Sequence, residues 1–370
     1  MKASTKSRIG RRLKTRRESL NLTQETVAEA MGLSRQILAR IEKGERQIRP
    51  PELAAVARML QVDPDFFVDP FSAAGEASFS FRADGADPKV LEEFEDVAGR
   101  WIATYRELGR KEGKEEQFLI PSLSLNRWSS YEDAHSAAAQ VRQDLKLGRV
   151  PAKDLSTQLS TEWGILVLFV NAPEGVSGAA SRLDGHLRVI LVNRHEPIVR
   201  QNWNVAHELF HVLTWDSIPP RKVESSVRKT GRRDRTEELA DNFAAELLMP
   251  EPAVREAWTR RGQEDVTEWM SRTAAEFRVS GSAMKWRAVN LGLISRSAAP
   301  DDCKVASVDP VALGFLEPPP QFNLLFVHRI HAAVEEGRLS LRKACRILGL
   351  DSSEFVDLCR SYGRHLSYEV

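Results

Sequence analysis

Residues 202–215, "NWNVAHELFHVLTW", set two histidines and a glutamate into a stretch that otherwise reads as a buried helix. Residues four apart on an α-helix share a face, so His207 and His211 offer two imidazoles to one point, with Glu208 beside them. Zinc takes neutral imidazole nitrogens in a tetrahedral array, and a catalytic zinc keeps one position for water beside three protein ligands. A third ligand must come from elsewhere in the chain. Residues 236–250, "TEELADNFAAELLMP", offer Glu237, and Asp241 one turn later is placed to accept a hydrogen bond from a ligand histidine and fix its tautomer. With Glu208 as the base, these positions imply peptide hydrolysis without a covalent intermediate. The carboxylate takes a proton from the attacking water and passes it to the leaving amine. His186 and His195 are candidates for stabilising the oxyanion, by nearness in sequence alone. The competing reading is a core helix that carries two internally satisfied histidines.

Upstream, "GILVLFV" at 164–170 reads as a buried strand, and "VSGAASRLDGHLRVILVN" at 176–193 divides at Asp184-Gly185 into two β-rich segments joined by a two-residue hairpin signal. A small antiparallel sheet is therefore expected just before the histidine helix. Helices are expected through "YEDAHSAAAQVRQDLKLG" and "PAKDLSTQLSTEWG", and apolar residues at helical spacing run from Val90 to Tyr105. The segment 219–235 between the histidine and glutamate helices is strongly basic and reads as a solvated loop.

Near the N-terminus the helical period begins again. In "LTQETVAEAMGLSRQILARIEKG" (22–44), Thr23 is placed to cap a helix that buries Val27, Ala28 and Met31, and Gly32 to leave it with positive φ. Ser34 then caps a second helix that buries Leu38 and Ile41 and ends at Gly44. Two amphipathic helices joined by so short a turn have helix-turn-helix spacing. The stretch is similar to the Xre/Cro-type helix-turn-helix, in which the second helix enters the major groove. The resemblance implies that Arg35, Gln36, Ile37 and Arg40 face base edges, while Gln24, Lys43 and Arg46 meet backbone phosphates. Arg11, Arg12, Lys14, Arg16 and Arg17 are expected to extend the phosphate contact. Operators of two half-sites imply a homodimer on double-stranded DNA.

The segments "GILVLFV", "GHLRVILVN", "QNWNVAHELFHVL", "EELADNFAAELLMP" and "FRVSGSAMKWRAVNLGLI" together resemble the ImmA/IrrE family of zinc metallopeptidases over roughly residues 130–295. Glu237, Ala240, Phe243, Ala244, Leu247, Leu248, Met249 and Pro250 repeat a pattern that accompanies H-E-x-x-H in that family. By that resemblance His207, His211 and Glu237 are the ligands of a zincin-like, gluzincin-type site, Glu208 is the base, and the metal is Zn2+ with Mn2+ the alternative. It further implies an endopeptidase that cleaves a repressor protein in a stress-response or mobile-element switch. The alternative reading is a non-catalytic Xre-family regulator or antitoxin whose metallopeptidase-like domain senses metal or a partner. Phe210 departs from the family pattern, where a small residue precedes the second histidine, and a ring there is expected to reshape the cleft.

The whole chain of 370 residues, 42% hydrophobic and 28% charged, has the composition of a multidomain globular protein. Its net charge of +1 conceals an asymmetry: the first fifty residues hold thirteen Lys or Arg and five Glu, +8, which leaves −7 for the rest. Only the head therefore suits a polyanion. No apolar run is long enough to span a bilayer and no signal-peptide core is present, so a cytoplasmic location is expected. Cys303, Cys345 and Cys359 have no spacing that suggests a disulfide framework or a zinc site. The expected fold class is α+β and mainly helical. The expected units are a helix-turn-helix bundle at 1–68, a linker at 69–88, a metallopeptidase domain with leading helices at 89–298, and a C-terminal helical unit at 299–370.

Overall fold

The computed structural model of the chain describes residues 2–73, 76–111, 120–183, 187–224, 234–297 and 318–367. Helices α1 (Lys2–Ser19), α2 (Gln24–Ala30), α3 (Arg35–Glu42), α4 (Pro50–Met59) and α5 (Asp65–Val68) form the N-terminal bundle. The Thr23 and Ser34 hydroxyls accept hydrogen bonds from Thr26 N at 3.2 Å and Ile37 N at 3.4 Å, so both expected caps form. Gly32 (φ 64°) leaves α2 in the left-handed region, as the turn requires. Leu13, Val27, Leu38, Ile41, Val56, Leu60 and Phe67 make the core of this bundle.

Residues 69–88 are more than a linker. Strand β1 (Ala77–Ala83) pairs antiparallel with β3 (Val176–Leu183) along its whole length. "ASFSFRA" alternates polar and aromatic residues with period two, a strand pattern whose flanking Pro, Gly and Asp residues favour a loop reading. After α6 (Pro88–Lys111), α7 (Tyr131–Asp144) and α8 (Leu155–Glu162) come β2 (Leu166–Val170), β3, β4 (Leu187–Asn193), α9 (Ile198–Thr214) and β5 (Val223–Glu224). The sheet order is β2-β4-β3-β1-β5.

The sheet is mixed, not antiparallel throughout. β3 and β4 pair as the expected hairpin up to Leu183 opposite Leu187, and the Asp184-Gly185 turn itself lies outside the described residues. Because the chain leaves β2, crosses to β3 and returns in β4, β2 ends up parallel to β4; the short β5 is likewise parallel to β1. Helices cover both faces. Val167, Ala180, Ile190 and Val192 pack against α9 and its neighbours, whereas Phe79, Phe81, Leu168, Ala179 and Leu191 belong to the core under α6. Burial on two faces explains why "GILVLFV" is apolar throughout.

Past α9, α10 (Arg235–Leu248) packs on α7 and α9, followed by α11 (Glu251–Thr259), α12 (Val266–Phe277) and α13 (Gly281–Asn290). The C-terminal helices α14 (Leu324–Glu335), α15 (Leu341–Leu348) and α16 (Ser352–Ser361) share the core under the sheet and do not form a core of their own. Phe322 exchanges backbone hydrogen bonds with Phe169 of β2, and Trp101 Nε1 of α6 donates to Ile347 O at 3.0 Å. The apolar faces of α6 and α14 need each other, which helical periodicity alone does not reveal. Cys345 and Cys359 are buried free thiols.

An ionic knot joins the N-terminal bundle to β1. Arg12, fully buried on α1, donates from Nε to Glu76 Oε1 (3.2 Å) and from Nη1 to the carbonyls of Phe66, Phe67 and Asp69 (3.1, 3.1 and 2.9 Å), while Nη2 meets Ser72 O. Arg8 Nε (3.4 Å) and Arg106 Nη1 (2.7 Å) also meet the Glu76 carboxylate. Arg12 is therefore an internal tie and not a phosphate contact. Breaking a buried pair from one side is costly, so Arg12→Met is expected to lower stability by about 3–5 kcal/mol. Urea unfolding followed by circular dichroism reads this as a lower midpoint; an unchanged midpoint would show that Glu76 is adequately held without it.

Candidate metal centre

One face of α9 and the first turn of α10 meet at a buried point. Asp234 caps α10, its carboxylate accepting from Thr236 N at 3.0 Å, which fixes where the helix begins and so where Glu237 sits. The Nε2 atoms of His207 and His211 lie 3.2 Å apart. Glu237 brings Oε2 to 3.3 Å from His207 Nε2 and Oε1 to 3.3 Å from His211 Nε2. His207, His211 and Glu237 each offer one ligand atom within 4.8 Å of the others, and all three residues are buried. His207 Nδ1 meets Asp241 Oδ1 at 3.0 Å, the geometry by which a carboxylate orients a ligand imidazole.

The donor set fits a divalent cation. Two ring nitrogens and a carboxylate converge on one point, and Glu237 Oε1, Glu208 Oε1 and His211 Nδ1 are buried without hydrogen-bond partners. An unpaired buried polar atom is costly, and a cation bound between the two Nε2 atoms and the carboxylate would relieve that cost at Glu237 Oε1. Two imidazoles and a carboxylate suit zinc, and the mixed N/O set also admits manganese. Burial opposes charge on each group. Even so, hydrogen bonds to Asp241 and Glu237 push His207 up to about 9, and the two histidines hold Glu237 well below the usual carboxylate range. Glu208 is pushed up by its burial, against the pull of the neighbouring imidazoles.

β3 forms the wall beside Glu208. A Cβ at Gly178 would come within 2.9 Å of Leu191 O, so glycine is what lets β3 pair this closely with β4. The same Cβ would stand in ordinary contact with Glu208, 3.6 Å from Cγ and 3.7 Å from Oε1, which places this point of β3 beside the carboxylate. Directly opposite Gly178 across the β1–β3 pair stands Arg82. The polar/aromatic alternation of residues 78–82 is the signal that could have led to it.

Other expected positions fall elsewhere. Phe210 is fully buried and packs edge-on to His211 and against Phe243, each with ring centroids 5.7 Å apart, so its ring supports the helix from the core side and does not shape the cleft. One residue of helix, about 100°, separates its direction from that of His211. His195 is exposed and bonded to Asn171 at 2.8 Å, at the end of β2, while His186 lies outside the described residues, as do 225–233 of the basic segment. In the head, Arg35, Gln36 and Arg40 are exposed on α3, Ile37 is half-buried, and Lys43 is exposed at its C-terminus. Gln24 donates to Glu42 at 2.8 Å, and Arg46 pairs in two-pronged fashion with Glu52 at 2.7 and 2.9 Å. Arg17 pairs with Glu42 and is buried, which makes it a second internal tie, not a phosphate contact.

Residues 13–67 match the helix-turn-helix family model and residues 161–288 match the IrrE N-terminal-like domain of the M78 peptidases. A helix-turn-helix-type transcriptional regulator of Sinorhizobium fredii is 33% identical over 61 residues, 16% of this chain and 43% of that protein. A transcriptional regulator encoded in the ATPase CF(0) region of Rhodospirillum rubrum is 37% identical over 59 residues, 16% of this chain and 55% of that protein. The chain thus spans about half the length of the curated relatives it matches. The solved structure of Bacillus thuringiensis PlcR with the peptide PapR7 and DNA aligns over 96% of this chain and 93% of that one at 13% identity, with a TM-score of 0.18, too low to bear on the fold. The chain thus carries a segment similar to the helix-turn-helix family and a segment similar to the IrrE N-terminal-like peptidase domain, with the buried His2Glu cluster falling inside the second.

Proposed function

We propose that the protein is a cytoplasmic, DNA-binding metalloendopeptidase that regulates transcription by cleaving a repressor protein. The observation that carries this reading is the buried convergence of His207, His211 and Glu237 with the unpartnered Glu208 carboxylate beside them. A divalent metal held by those three residues supplies a Lewis acid and a water of lowered pKa. Asp241 holds the His207 ring with its Nε2 turned inward. Glu208, whose proton affinity is raised by burial, accepts a proton from the attacking water and delivers it to the nitrogen of the leaving amine. A metal sensor without turnover would need no carboxylate base at that position. Arg35, Gln36 and Arg40, exposed on α3, present the side chains suited to guanine and adenine edges, and a homodimer would place two such helices on two half-sites. No helix among the described residues is long and apolar enough to cross a membrane, in keeping with a protein that works on DNA.

Glu208→Gln is expected to retain about one zinc per chain and to lose cleavage, whereas His211→Ala loses both. Mass spectrometry of metal content, combined with co-incubation with the product of a neighbouring gene, checks this; wild-type cleavage by Glu208→Gln would remove Glu208 from the mechanism. Replacing Arg35 and Gln36 together by Ala is expected to weaken operator binding by roughly 1–3 kcal/mol per lost base contact without changing metal content. Fluorescence anisotropy on operator DNA measures it, and undiminished affinity would rule out α3 as the reading helix.

A further inference from the structure

We propose that Arg82 is a further catalytic residue, a hydrogen-bond donor to the oxygen that becomes negatively charged when water adds to the scissile carbonyl. The proposal rests on the peptidase reading above and adds a residue from outside the segment that matches the peptidase family, 161–288.

Its placement follows from strand geometry. Successive residues of a strand point to opposite faces, and Phe79, Phe81 and Ala83 all point into the core under α6. Arg82 therefore points to the other face of the sheet, the one covered by α9. Its register partner is Gly178, whose Cβ position lies 3.6 Å from Glu208 Cγ and 3.7 Å from Glu208 Oε1. Residues directly opposite in an antiparallel pair share a face, so the guanidinium is on the side of Gly178 that meets the Glu208 carboxylate. The pairing slips between Arg82 and Ala83, where Ala83 faces Val176, and such irregularities re-aim side chains beside active sites. Arg82 accordingly exerts its positive charge on His207, Glu208 and Asp241.

The guanidinium is near these groups without bonding to them. Arg82 Nη1 is buried and has no hydrogen-bond partner. An unpaired buried donor is expensive, whereas a ligand oxygen placed between it and the ligand cluster would satisfy it. Two of the neighbouring carboxylates are otherwise engaged, Asp241 being bonded to His207 and Glu237 facing both imidazoles, while the third, Glu208, is itself without a hydrogen-bond partner. Fixed donors aimed at developing negative charge stabilise it strongly in a water-poor site. As water adds, a carbon–oxygen bond forms, the carbonyl π pair moves onto its oxygen opposite Arg82, and the water proton passes to Glu208. When the carbon–nitrogen bond breaks, that oxygen pair restores the carbonyl and Glu208 returns the proton to the amine nitrogen. No other reactant is consumed.

The test uses full-length wild type, Arg82→Met and Arg82→Lys, each loaded with zinc, and two probes measured by calorimetry. One probe is a phosphinic dipeptide analogue, a tetrahedral anion; the other is a mercaptoacyl dipeptide, which engages the metal through sulfur and offers no such anion. Arg82→Met is expected to keep wild-type zinc content and mercaptoacyl affinity but to bind the phosphinic analogue about 100-fold more weakly, the magnitude typical of one lost oxyanion donor. Arg82→Lys is expected to recover part of that loss. Phosphinic binding by Arg82→Met within about threefold of wild type, or equal losses for both probes, overturns the assignment. Wild type that takes up no zinc overturns the peptidase reading and the Arg82 assignment with it.

Discussion

Two imidazole nitrogens 3.2 Å apart and a carboxylate 3.3 Å from both, all out of reach of solvent, gather the donor set of a metal site at one point. A cation at the common point would be held by all three. The surrounding structure can be read as what holds that cluster in place. The i, i+4 spacing on α9 aligns the imidazoles, the Asp234 cap sets the start of α10 and hence the position of Glu237, and Asp241 orients His207. The apolar flank of α9, including Phe210, fixes its rotation against the sheet and α10.

The sheet brings a remote part of the chain to this cluster. Glu76 sits immediately before β1 and is held by Arg8 and Arg12 from α1 and by Arg106 from α6. Six residues further on, Arg82 stands opposite Gly178, whose Cβ position lies 3.6 Å from Glu208 Cγ. A continuous strand therefore connects the base of the helix-turn-helix bundle to the wall of the metal centre. Any rotation of α1 against β1 would have to break a buried, multiply bonded guanidinium, so the two regions are mechanically joined at that point.

Local chemistry was the legible part of this sequence. Thr23, Ser34 and Gly32 announce the helix-turn-helix because a cap and a left-handed exit are set by single residues. The histidine helix and the glutamate helix announce themselves by spacing, and the two do come together. What stayed hidden depends on distant partners. β1 is bounded by loop-forming residues, and its strand character is settled by β3, about a hundred residues away. The basic head reads as uniformly available for phosphate, yet Arg8, Arg12 and Arg17 are only 8%, 0% and 7% exposed and serve internal carboxylates and carbonyls. The C-terminal helices read as self-contained because their periodicity does not say that their partner is α6 and the sheet.

The cluster stands or falls as a metal site on whether His207, His211 and Glu237 hold one ion together. X-ray absorption at the zinc edge, on protein loaded with one equivalent of zinc, tests it most directly. Four nitrogen or oxygen neighbours at about 2.0–2.1 Å, with the outer-shell scattering of two imidazoles, are expected. A six-oxygen shell without imidazole scattering, or a sulfur shell at about 2.3 Å, would contradict it.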